Sequence, residues 1–313
     1  MKVFRTKSGY FKAAILKNMN ELDKQYKELL QNILDNGEWS NNRTGIRTKY
    51  INGAMIKVDL RDGFPISTLS KRGYKYVAAE LECFIKGLAY DKREFQKRKC
   101  HIWDEWCAPS IKAYGHSEED YKAMKEEWRL GPIYGSQWRC FDGDLDEDKK
   151  PIYGTGTDQL KDIIETAKKD PASRRLVCSA WNPNQSKDMA LTPCVFSWQL
   201  MLNSDNKMAD LIFFQRSADT MLGIPADLES YSMLLILLAA ELGYTPRYVS
   251  AMMANTHIYE NHIEGAKEML TRESFDLPKI TLKKFTSIYD FEYTDFELEG
   301  YKSGEKINFE VAI

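Results

Sequence analysis

The run from Leu228 to Leu242 is apolar on nearly every side, carries charge only at Glu229 and Glu241, and closes at Gly243 with Pro246 beyond. A helix without a polar face has to be wrapped by the rest of its chain. The chain has the material: 313 residues, 43% of them hydrophobic, suit one large domain, or one with insertions.

Two strand-like runs precede that helix. Leu191–Leu200 places Cys194 just behind Pro193, and Asp210–Asp219 follows after the turn-forming stretch 203–207. Pairing the two as a hairpin brings Cys194 near Arg216. A guanidinium favours the thiolate, which is the nucleophilic form.

A net charge of −2 argues against nucleic-acid or membrane binding. Six cysteines without regular spacing or a C-x-x-C pair argue against zinc and disulfides and fit a reducing cytoplasm. Met1–Leu22 lacks the apolar core of a signal peptide and reads as an extra surface helix or arm. The longest apolar run, Met233–Ala240, falls short of a bilayer span.

Elsewhere, helical spacing predicts helices over Asp23–Gly37, Tyr74–Lys86 and Asp158–Lys169. Strands are expected over Ile51–Leu60, Leu176–Trp181 and two runs within 280–298. Arg43 sits in the polar turn Asn42–Gly45, and Arg174 and Arg175 precede a strand; such arginines are usually solvated, but a guanidinium also grips phosphate in a bidentate fork. Glu80 lies among apolar neighbours, where burial raises its pKa and suits it to proton transfer. Trp103 and Trp106, three apart, would share a helix face, as core or as the wall of a ring-binding pocket. His257 and Tyr259 share one side of an extended segment. The stretches 108–129 and 143–156 read as exposed. These residues alone suggest nucleophilic chemistry on a phosphorylated ring compound. A hydrolase pairing Cys194 with His257 competes with that reading, as does a non-catalytic nucleotide-binding protein.

From about Asp23 onward the chain resembles the thymidylate synthase family. The resemblance rests on Arg43-Thr44-Gly45, Ile102–Trp106, Gly131–Gly135, Asp170–Arg175, Pro193-Cys194, Gln215–Asp219, Gly223-Ile224-Pro225, Thr256–Tyr259 and Val311-Ala312-Ile313. It implies an α/β (α+β) fold on a large mixed sheet and a two-fold homodimer. It also implies an extension over 1–22 and a single catalytic domain over 23–313, with surface insertions near 108–129 and 142–157. Carried over by position, Cys194 is the nucleophile, Glu80 runs the proton relay and Tyr134 lies beside the cysteine. Arg43, Arg216 and Ser217 hold the nucleotide phosphate, which Arg174 and Arg175 reach from the partner subunit. Gln215, His257 and Tyr259, with position 227, read the base and sugar. Trp103, Asp219, Leu222, Gly223 and Ala312 form the folate site. The implied co-substrate is 5,10-methylenetetrahydrofolate, with no metal. Thiolate addition at C6 makes C5 a nucleophile toward the folate's one-carbon unit; hydride then gives methyl, and water gives hydroxymethyl.

Four positions depart from the family pattern. Asp227 stands where synthases carry the asparagine that matches uracil, a change shared with deoxycytidylate hydroxymethylases, which the chain therefore also resembles. Val195 replaces a histidine of the network around O4, Ala226 a phenylalanine on the folate side, and Ser70 a lysine that helps hold the folate tail. The expectation is a cytoplasmic dCMP hydroxymethyltransferase, ahead of dCMP methylation and of thymidylate synthesis on dUMP.

Overall fold

The apolar run forms the helix Gly223–Leu242, on which Met233, Leu234, Leu235, Leu237 and Leu238 are fully buried. Its length and composition would allow a membrane span, but most of it is enclosed by the chain's own structure. It ends as the sequence predicts, with Gly243 left-handed at φ 72°. It begins earlier than predicted. Pro225 sits in its first turn, where a missing N–H costs no hydrogen bond, so Ala226 and Asp227 are helical rather than part of a lead-in loop.

This computed structural model describes residues 19–108 and 118–311. The central helix packs on a six-stranded sheet with order β1-β2-β6-β5-β4-β3. The strands are β1 Glu38–Ser40, β2 Thr48–Asp59, β3 Val177–Ser179, β4 Val195–Asn203, β5 Met208–Asp219 and β6 Thr245–Tyr259. All neighbours are antiparallel except β5 and β6, which run parallel because the central helix carries the chain back between them. The fold is thus α+β on a large mixed sheet, as expected. A second hairpin pairs β7 Lys279–Leu282 with β8 Phe296–Glu299.

Alternation along β5 buries Ala209, Leu211, Phe213 and Gln215 on one face, with Phe213 stacked on Tyr231 of the central helix at 4.5 Å. The opposite sheet face is apolar yet open: Met55, Val177, Met201 and Met252 are exposed. Helices Glu21–Asn36, Tyr74–Ile85 and Gln159–Lys169 bury their apolar stripes as their spacing predicts. Gly37 stops the first of these in extended backbone; a Cβ there would lie 2.5 Å from the Ile33 carbonyl oxygen, so it is space that calls for glycine.

Other expectations need correcting. His101–Trp106 makes tight turns rather than a helix, with the Trp106 N–H bonded to the Trp103 carbonyl. Strand Leu176–Trp181 shrinks to Val177–Ser179. Within 108–129 the helix Glu118–Glu126 buries Met124, whose carbonyl accepts from the buried Lys92 ammonium at 2.7 Å, so that stretch is not all exposed surface. Residues 1–18 lie outside the described residues.

The short helix Gly135–Arg139 lies so close to Tyr74–Ile85 that a Cβ on Gly135 would stand 2.2 Å from the Phe84 Cα. Overpacking a core costs about 1–3 kcal/mol. Gly135→Ala should therefore lower the urea denaturation midpoint by that much stability; an unchanged midpoint would contradict this packing.

Candidate active site

Strand register converges several side chains at one end of the sheet. Val195, the first residue of β4, pairs with Gln215 on β5; Asp219 at the end of β5 pairs with His257 on β6; His257 in turn pairs with Tyr50 on β2. The first turns of the central helix reach the same place. The result is a cavity of about 910 Å³, in the range that binds small molecules and cofactors.

Cys194 sits just ahead of β4, and the Arg216 N–H donates to its carbonyl at 3.0 Å. The Arg216 guanidinium anchors the preceding loop, donating to the Pro193 and Thr192 carbonyls at 3.0 and 2.7 Å. The pairing expected from sequence is present, but the expected charge balance is not. Burial pushes the Cys194 thiol up, and Arg216 only partly offsets it. Tyr134 accepts the Cys194 N–H on its hydroxyl at 2.8 Å while its ring stacks on Phe84 at 5.0 Å. Its φ of 30° is a strained value for a side chain of this size, over-determined by those two contacts.

Across the cavity, burial raises the Glu80 carboxyl to about 7, while an indole N–H from Trp103 at 2.8 Å pulls it back. Asp227 accepts from Gln215 Nε2 at 2.6 Å. Burial, reinforced by the nearby charge of Glu80, holds its carboxyl well above the ordinary range. The other Gln215 amide atom, Oε1, is buried with no partner among the described residues. Burial lowers the His257 imidazole below its ordinary pKa, with Nδ1 2.9 Å from Asn255 Oδ1 and its ring edge-on to Tyr259.

Of the predicted site residues, Arg43, Glu80, Trp103, Tyr134, Cys194, Gln215, Arg216, Ser217, Asp219, Leu222, Gly223, Asp227, His257 and Tyr259 all line this cavity. Arg174 and Arg175 do not; they are exposed and lie outside this cavity. Ala312 lies outside the described residues, though Val311 reaches the cavity. Asp219 Oδ1 caps its own loop by accepting the Met221 N–H at 2.9 Å. Among the departures, Ala226 lines the cavity and Val195 is buried beside it. Ser70 is buried away from the cavity and accepts the Ile307 N–H at 2.9 Å. Sequence reasoning missed Arg72, Tyr76, Tyr50, Asn52 and Asn255, which also line it. The four-residue steps from Arg72 through Tyr76 to Glu80 were the available signal for the first two. Among the described residues no group of three His, Cys, Asp or Glu side chains is positioned to hold a metal.

Residues 24–313 match the thymidylate synthase family profile. The chain belongs to the thymidylate synthase family. It is 37% identical to a thymidylate synthase of Malacoplasma penetrans over 303 residues, covering 93% of this chain and all of that one. Similarity to the thymidylate synthases of Mesoplasma florum (37%) and Mycoplasma genitalium (36%) covers the same shares. Family membership accounts for so many cavity-lining residues falling in the motifs read from sequence.

Because burial outweighs Arg216 at Cys194, alkylation of the free protein by iodoacetamide should still be accelerating at about pH 9. Arg216→Gln should delay the rise further. A plateau below about pH 8 would show an activated thiolate instead.

Proposed function

We propose that this chain is a dCMP hydroxymethyltransferase within its family, transferring a one-carbon unit to C5 of the nucleotide. Family membership brings 5,10-methylenetetrahydrofolate as co-substrate, which supplies that unit. The cavity is roomy enough for nucleotide and folate side by side. In this reading Cys194 adds to C6, and Tyr134 steadies its backbone. Glu80 exchanges the protons the ring gains and loses, its pKa of about 7 suiting both directions. Arg43, Arg216 and Ser217 grip the phosphate, His257 and Tyr259 the deoxyribose, and Gln215 the base edge with Asp227. Trp103, Asp219, Leu222 and Gly223 shape the folate compartment.

One feature carries the choice of base: Asp227 lines the cavity at the position that family resemblance assigns to the ring edge, and a carboxyl there can pair with cytosine in either protonation state. A protonated Asp227 donates to bare cytosine N3 and accepts from the 4-amino group. An ionised one pairs equally well with N3-protonated cytosine. Uracil, with N3–H and O4, is served only by the protonated form. Handing a proton to N3 also draws electrons from C6 as the thiolate attacks. Ala226 on the cavity wall leaves room for water near the transferred carbon, which favours hydroxymethyl over methyl.

The names of the relatives favour a second reading, thymidylate synthesis on dUMP. Comparing kcat/KM for dCMP and dUMP decides between them. The first reading expects a preference for dCMP, and a swing toward dUMP in Asp227→Asn. A preference for dUMP sinks it. Mass analysis of the product separates methyl from hydroxymethyl by one oxygen. Cys194→Ser should bind nucleotide without turning it over.

We also propose a homodimer through the open sheet face, which carries Met55, Met201 and Met252 and would take Arg174 and Arg175 to the partner's phosphate. Mixing inactive Cys194→Ser with a crippled Arg175→Ala chain should then restore about a quarter of wild-type activity, from the one intact site in each mixed dimer. No recovery would mean that each protomer completes its own site.

A further inference from the structure

Arg72 is a cation in the cavity wall to which none of the roles above falls. It donates from Nε to Glu229 Oε1 at 2.8 Å and from Nη2 to the Tyr76 hydroxyl at 3.1 Å. Glu229 lies behind that wall, fully buried and out of the cavity. Its Oε2 has no hydrogen-bond partner among the described residues, so the carboxylate holds the guanidinium by a single prong. A guanidinium stays charged at any working pH; what varies is which anion shares its charge.

The competing anions are close. Asp227 stands two residues before Glu229 on the same helix, and Glu80 lies on the helix Tyr74–Ile85, which begins just after Arg72 and shares the cavity wall with it. Asp219 approaches from β5, Tyr26 from the first helix and Tyr301 from the C-terminal stretch. Cys194, Tyr134, Tyr231 and Gln215 close the far side of Asp227. An Arg72 without Glu229 would direct its charge at Asp227 and Glu80 and favour their ionised forms.

We propose that Glu229 is a charge-setting residue: by engaging Arg72 it withholds that cation from Asp227 and Glu80, so both cavity carboxyls keep protons to give to a substrate ring. Glu229 touches no substrate and acts through Arg72, which makes it a positioning residue. The use of those protons rests on the nucleotide reading above; the withholding is a property of the free protein.

The test titrates the carboxyl-¹³C resonances of Glu80 and Asp227 in the full chain without nucleotide, assigned with Glu80→Gln and Asp227→Asn. Glu229→Gln keeps shape and acceptor but leaves Arg72 uncompensated. It should lower both midpoints by about one pH unit, taking Glu80 from about 7 toward 6. Arg72→Met should raise both. The double variant Arg72→Met/Glu229→Met, which leaves no buried charge in the pair, should return them near wild type. The pH profile of kcat/KM should move with the midpoints, which a merely structural pair would not cause. Unmoved midpoints, or shifts of one sign in both single variants, overturn the proposal; either single variant decides should the other fail to fold. Midpoints that move as expected in a protein that turns over no pyrimidine nucleotide would support this inference while refuting the nucleotide reading.

Discussion

The parallel pairing of β5 with β6 is the constraint on which the rest depends. Parallel neighbours need a crossover, and the crossover here is the central helix, apolar on nearly every side and buried against the sheet. Once it is buried, β5 and β6 end side by side, and their last residues, Asp219 and His257, face each other in register. β4 begins beside the end of β5, which brings Cys194 to the same point. The cavity lies beyond the carboxyl ends of the parallel pair, where sheets of this kind bind ligands.

Desolvation is the second organising force. The base end of the cavity gathers Glu80, Asp219 and Asp227, with Glu229 close behind, and Arg72 as their nearby cation. The same burial that raises the Glu80 and Asp227 carboxyls also raises the Cys194 thiol. In this free protein the site is poised with acids and without a ready nucleophile. The thiolate has to be formed during the reaction, with Arg216 as the charge that already favours it.

Much of this could be read from the chain. Periodicity found the central helix, the β4–β5 hairpin and the amphipathic helices, because in each the burial pattern matches the backbone period. It failed at His101–Trp106, where two buried tryptophans three apart mimic a helix face but are buried through turns, with Trp103 held by Glu80. It failed at Cys194, because sequence spacing reveals a neighbouring arginine but not the loss of water around the thiol. Arg72 was overlooked because its partner, Glu229, is 157 residues away and was itself read as a mere interruption of an apolar helix. The assignment of the exposed Arg174 and Arg175 to a partner's site came from family resemblance, since a single chain's pattern carries no trace of a second copy.

The strand order also has a consequence for how the molecule is made. β6 lies between β2 and β5, which do not bond each other, so the slot it fills must stay open until residue 259 has been synthesised. Until then β2 and β5 each present an unpaired strand edge, the kind of surface that recruits other chains. The last long strand therefore acts as a keystone: it joins the two halves of the sheet and creates the ligand-binding end in one step. Incomplete chains would be both inactive and prone to associate, while folding waits on contacts about 200 residues apart, a separation typical of slow folders.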